Sequence, residues 1–106
     1  MSQLREINEL NFEAEVLQSD TPFLLDFTAQ WCGPCKALSP LLEQLAKENT
    51  GKLRVGKLDI DEAPDLVRRF GIRGAPTLLV FRNGREVQRQ VGAGNKTSLR
   101  ALVGPL

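Results

Sequence analysis

The sequence predicts an α/β layered fold, a mixed β-sheet covered by helices, in one domain over residues 1–106. Three observations predict it. Apolar runs of strand length alternate with stretches whose apolar residues recur at helical spacing. The strand–helix–strand pattern of residues 23–60 implies a parallel strand pair joined by a right-handed crossover. Two strand-like runs around Asn83-Gly84 imply an antiparallel hairpin, and helices packed on such a mixed sheet make an α/β domain.

Each element has its own signal. Leu4–Ile7 reads as a short first strand, and Asn11 as the cap of a short helix running to about Gln18. Phe23–Thr28 is an apolar run of strand length. A long helix is expected from Pro34 to Asn49, with Leu38, Leu41, Leu42 and Leu45 forming its apolar stripe and Gly51 ending the segment. Pro40 lies inside that helix and is expected to kink it. Leu53–Ile60 is a second strong strand. Pro64 opens a short helix carrying Leu66, Val67 and Phe70, and Gly71 stops it. Thr77–Arg82 and Arg85–Val91 flank Asn83-Gly84, the dipeptide that favours a type I′ turn. Asn95 caps a last helix with Leu99, Leu102 and Val103, closed by Gly104-Pro105.

Composition removes several functional classes. The 106 residues are 42% hydrophobic and 25% charged, which is neither disordered nor membrane-like. Fourteen basic residues oppose thirteen acidic ones, net +1, with no basic run, so no nucleic-acid or membrane surface is expected. Met1–Glu6 lacks the apolar stretch of a signal peptide, and a cytoplasmic location is expected. Histidine is absent. That excludes a Ser-His-Asp triad, a Cys-His pair and any histidine metal ligand.

Trp31-Cys32-Gly33-Pro34-Cys35-Lys36 stands between a strand and the long helix. As a structural staple, so short a loop is worth only about 2 kcal/mol, and structural disulfides are rare in the cytosol. Structural zinc wants four Cys or His ligands, which only a dimer sharing two pairs would supply. Haem attachment needs a histidine where Lys36 stands. A redox pair is the reading left standing. Pro34 is expected at the first helical position. Cys32 then lies just outside the helix, facing unpaired N–H groups and the positive end of its dipole. Cys35 begins the buried row Cys35, Leu38, Leu42, Leu45. Cys32 is therefore the expected exposed nucleophile and Cys35 the shielded resolving thiol.

The Trp-Cys-Gly-Pro-Cys-Lys stretch resembles the signature of the thioredoxin family. The resemblance extends over nearly the whole chain, through Asp26-Phe27, Lys57-Leu58-Asp59-Ile60-Asp61, Gly71-Ile72-Arg73-Gly74-Ala75-Pro76-Thr77 and Phe81-Arg82-Asn83-Gly84. It implies a central mixed sheet of five strands with four helices, no bound cofactor, and reduction of protein disulfides; a monomer is expected. NADPH would be used indirectly, through a flavin-containing thioredoxin reductase. Thioredoxin cysteines are a known case, with a pKa near 7 against about 8.5 for a free thiol. Such a drop multiplies the thiolate about fifteenfold at neutral pH but lowers nucleophilicity about fivefold. The net gain is a few-fold, so leaving-group behaviour and substrate docking must supply the rest.

The resemblance carries roles to further positions. Asp26 interrupts an apolar run, where a carboxylate is desolvated and its pKa raised; the resemblance places it beneath Cys35 as that thiol's proton acceptor. Lys57 alternates with Leu53 and Val55 on an expected apolar face, where a buried lysine needs a partner. The resemblance puts it near Asp26, with snorkelling to solvent as the other reading. It also implies a cis bond between Ala75 and Pro76, in a loop against the cysteines, where an extended substrate pairs by strand addition. Trp31, Gly33, Pro34 and Gly92 complete the implied docking surface.

Two departures stand out. Thr28 occupies a position where the family usually has tryptophan, and Ala75 replaces a larger aliphatic residue. Gly33-Pro34 between the cysteines favours a reductase over an oxidase, whose relatives tend to carry histidine there. A non-redox role as the binding subunit of a larger assembly stays open beside it.

Overall fold

A computed structural model describes residues 4–106; the Met1–Gln3 part of the segment discussed above lies outside the described residues. The chain forms strands β1 (Arg5–Ile7), β2 (Phe23–Thr28), β3 (Arg54–Asp59), β4 (Thr77–Arg82) and β5 (Arg85–Val91). Its helices are a π-helical turn (Glu13–Leu17), α1 (Gly33–Glu48), α2 (Pro64–Arg69) and α3 (Lys96–Val103). The five strands make one mixed sheet in the order β1-β3-β2-β4-β5. β3 pairs in parallel with β1 and β2, while β4 runs antiparallel to both β2 and β5. This is the expected five-stranded mixed sheet with four helices.

Alternation along the strands sorts side chains onto two faces. Leu24, Val55, Leu78 and Val80 pack with Leu38, Leu42 and Leu45 of α1 and with Leu99 and Val103 of α3. Phe23, Leu25, Phe27, Leu58, Leu79 and Phe81 pack with Phe12, Val16 and Leu66 on the opposite face. Gly56 lies on the second face and is required there. A Cβ at that position would stand 2.9 Å from the Phe23 ring and 3.0 Å from the Arg5 carbonyl oxygen and Ile7. Gly56→Ala is expected to destabilise by about 1–3 kcal/mol through overpacking, measured as a lower urea midpoint at unchanged slope.

Local signals were read correctly where a few neighbouring residues decide the outcome. Asn83 and Gly84 both have positive φ, 52° and 78°, as a type I′ turn demands. After α2, the Gly71 N–H donates to the Arg68 carbonyl and the Ile72 N–H to the Val67 carbonyl, the paired bonds of a glycine-capped helix end. Asn95 caps α3, accepting from the Ser98 N–H at 2.9 Å while Ser98 Oγ accepts from the Asn95 N–H at 2.8 Å.

The first helix differs from expectation. Asn11 does not cap it: the N-cap is Phe12, which has no side-chain cap, and Asn8 Oδ1 accepts from the Leu10 and Asn11 N–H groups in the turn before it. Asn11 Oδ1 instead accepts from the Asn8 N–H at 2.8 Å. The two asparagines form a reciprocal box three residues upstream. The segment then widens to a π-turn, closed by the Gln18 N–H to the Glu13 carbonyl at 3.0 Å. The long helix starts one residue early, at Gly33, and is continuous through Pro40. Among the described residues, no helix is long and apolar enough to cross a membrane.

Candidate active site

The head of α1 is built by the cysteine spacing. Cys32 is the N-cap residue, with extended backbone, and its sulfur accepts the Cys35 N–H at 3.1 Å. Gly33 and Pro34 form the first helical positions, so Pro34 stands one place further into the helix than its usual role predicts. The two sulfurs are joined as a disulfide, with the Cα atoms 5.3 Å apart.

The expected contrast in exposure between the cysteines is absent. Cys32 is 3% and Cys35 4% exposed. Both pack against Ala29, Ile60 and Ala75, and the Ala75 carbonyl oxygen lies 3.5 Å from Cys32 Sγ. The loop before β4 therefore covers the sulfur that helix position alone would leave open. What distinguishes the cysteines is their surroundings. Cys32 sits among exposed Trp31, Gly33 and Pro34, whereas Cys35 borders a cleft of about 360 Å³ on the other side.

That loop contains the expected cis bond between Ala75 and Pro76. The Pro76 carbonyl accepts the Gly92 N–H at 2.9 Å, and Gly92 has φ +95°. Ala75 thus lies against Cys32, and Gly92 joins the same loop through Pro76, although these residues are far apart in sequence. Trp31 is 66% exposed, and its indole N–H donates to Asp61 Oδ2 at 2.9 Å. No role for Asp61 is legible in the sequence. Nothing local links residues 31 and 61; the sheet brings the β3 end to the head of α1.

The cleft behind Cys35 is lined by Asp26, Thr28, Lys57 and Glu6, among others. Asp26 is 3% exposed, and its Oδ1 receives no hydrogen bond from the described residues. Burial pushes its carboxyl up to about 7, with the Lys57 ammonium pulling the other way. Asp26 and Lys57 are direct neighbours across β2 and β3. Lys57 is not buried as expected. Its side chain is 41% exposed and reaches Glu6 Oε1 at 3.9 Å, because its part of the face lies past the apolar packing of Val55 and opens on the cleft. Lys57 thus stands next to Asp26, as the resemblance implies, while its ammonium reaches out toward solvent and Glu6. Glu6 was missed: at the sequence level it is an ordinary charge on a short edge strand. Thr28 lies on the cleft wall, so the family's usual tryptophan position is here a small polar side chain beside Asp26 and Cys35. Among the described residues, no group of three or more His, Cys, Asp or Glu side chains is placed to hold a metal ion.

Comparison with known proteins agrees with this geometry. The family described as Thioredoxin matches residues 3–104. A thioredoxin of Haemophilus influenzae is 48% identical over 103 residues, 97% of this chain and 96% of the relative. A thioredoxin of Pseudomonas aeruginosa is 43% identical, covering 92% and 90% of the two chains. Thioredoxin 1 of Nostoc sp. is 42% identical, covering 93% and 92%. With a disulfide-linked Cys32–Cys35 pair at a helix head and relatives matched along nearly their whole length, the chain belongs to the thioredoxin family and is a thiol–disulfide oxidoreductase, a protein-disulfide reductase.

Proposed function

We propose that Cys32 is the attacking thiolate of this reductase, Cys35 the resolving thiol, and Asp26 the base that receives the Cys35 proton. The observation that carries the assignment is the Cys35 N–H donating to Cys32 Sγ at 3.1 Å. In the disulfide that sulfur is a weak acceptor. Once the bond opens, the same sulfur carries the thiolate charge, stabilised by the amide donor and by the helix dipole. Among the described residues Cys35 Sγ has no equivalent donor, and it borders the cleft that also contains the Asp26 carboxyl.

The reaction then runs in two exchanges. Cys32 thiolate attacks a substrate disulfide; a Cys32–substrate bond forms, the substrate bond breaks, and the released thiolate takes a proton from water. Cys35 passes its proton to Asp26 and attacks Cys32 Sγ. The Cys32–Cys35 bond forms, the mixed disulfide breaks, and the second substrate sulfur leaves as a thiolate that takes a proton from water. Two electrons have passed to the substrate. Lys57 sets the charge balance around Asp26.

Trp31, Gly33, Pro34, Ala75, Pro76 and Gly92 form the proposed docking surface. Their support is proximity: the Ala75–Pro76 loop abuts Cys32, and Gly92 is bonded to Pro76. An extended substrate segment adding to that backbone would present its disulfide to Cys32. Members of the family carry no bound cofactor and draw reducing equivalents from NADPH through a thioredoxin reductase. We read the present chain as a cytoplasmic monomer of one domain, residues 1–106, supplied in the same way.

Trapping tests the assignment. Cys35→Ser is expected to accumulate a mixed disulfide with a protein substrate through Cys32, seen by mass spectrometry. Cys32→Ser is expected to trap none and to lose insulin reduction. Retained turnover in Cys32→Ser would reverse the roles of the two cysteines.

A further inference from the structure

The cleft behind Cys35 contains a row of three charged groups from three adjacent strands. Glu6 on β1 is registered opposite Lys57 on β3, which is registered opposite Asp26 on β2. Lys57 therefore stands between two carboxylates and has a choice of direction. The structure shows the choice: Lys57 Nζ pairs with Glu6 Oε1 at 3.9 Å, while Asp26 Oδ1 has no hydrogen bond from the described residues. Glu6 is 85% exposed at its side chain, so the pair adds little to stability. Its consequence lies elsewhere. A cation is felt far more strongly by a carboxylate in a low-dielectric site than by one in water. Where the ammonium points thus matters little to Glu6 and much to Asp26.

We propose that Glu6 is a positioning residue for the proton transfer: it draws the Lys57 ammonium to the mouth of the cleft, away from Asp26, and so keeps Asp26 able to take a proton from Cys35 near neutral pH. The inference rests on the reading of Asp26 as proton acceptor. The other charged groups around the cleft are Lys36 of α1, Asp59 of β3 and Glu62 in the loop that follows. β4 contributes the apolar Leu78 beside Asp26. Glu6 is the carboxylate paired with Lys57. Removing its charge acts on Asp26 in one direction by two routes. The repulsion across the row disappears, and the ammonium is freed to turn inward.

The test is the carboxyl titration of Asp26, followed by carbon-13 NMR in the oxidised protein, where neither cysteine titrates. Wild type, Glu6→Gln, Lys57→Met and the double variant are compared. Glu6→Gln is expected to lower the Asp26 midpoint by about half a unit. In the Lys57→Met background the same substitution is expected to shift it less than half as far, because the cation it repositions is gone. An unchanged or raised midpoint in Glu6→Gln overturns the proposal. So does an equal shift in both backgrounds, which would make Glu6 a through-space charge only. The titration does not depend on turnover. A failure of Asp26 as proton acceptor would show instead as unimpaired resolution of the mixed disulfide in Asp26→Asn, so the two failures are separable.

Discussion

Asp26→Ala is expected to stabilise the protein by about 2–4 kcal/mol at pH 8 and to leave it nearly unchanged at pH 3. The folded carboxyl titrates about 7 against an ordinary 3.8. The folded state thus binds a proton more readily than the unfolded state, and stability falls as pH rises through the window between those values. Below it both states hold the proton and nothing is lost. Above it both are ionised, and burying the charge costs about 4 kcal/mol at about 1.4 kcal/mol per pKa unit. Alanine removes that cost, while the small void it leaves takes back part of the gain. Urea midpoints across the pH range measure it. A gain that did not vary with pH would mean that the buried charge is not its source. The same variant is expected to turn over more slowly. General-base help is worth about 10²–10⁴-fold, but a thiol with pKa near 8.5 is already a few per cent ionised at pH 7, so the loss sits near tenfold. Stability and activity move in opposite directions because the group that is expensive to bury is the one that accepts the proton.

Phe81→Ala is expected to cost about 3–5 kcal/mol. Phe81 is 1% exposed. Its ring meets Phe70 edge-on at 5.5 Å and Phe12 at 5.8 Å, and each such pair adds to simple burial. Removing it takes the centre from the cluster that seats α2 and the π-turn on the sheet. For a domain of this size, about 4–8 °C per kcal/mol translates to a melting temperature lower by about 12–40 °C. Disulfide reduction at 25 °C, per folded molecule, is expected to stay within about twofold, since the cluster lies on the sheet face opposite α1 and shares no partner with either cysteine except Ile60. A loss below about 1 kcal/mol would show that neighbouring rings refill the space. A larger drop in activity would show that Ile60 couples the cluster to the cysteines.

The sequence by itself determined whatever rests on neighbours along the chain. Apolar runs of strand length placed the strands, an apolar stripe placed α1, Asn83-Gly84 fixed the hairpin turn, and Gly71 and Asn95 marked helix ends, each through a few adjacent residues. The cysteine spacing was legible for the same reason: with residues 32 and 35 at a helix start, one sulfur meets the free amides of the first turn. Even so, local signals misplaced the first cap: Asn8 and Asn11 bond each other in the turn before the helix, and neither side chain caps Glu13–Leu17. Only the tertiary structure decided the rest. It buried Cys32 under Ala75, bonded Trp31 to Asp61, brought Gly92 to Pro76, and aligned Glu6, Lys57 and Asp26 in one row behind Cys35. These contacts join residues from different strands and loops. They depend on strand order and register, which no short stretch of sequence encodes, and burial and charge at the site follow from that register.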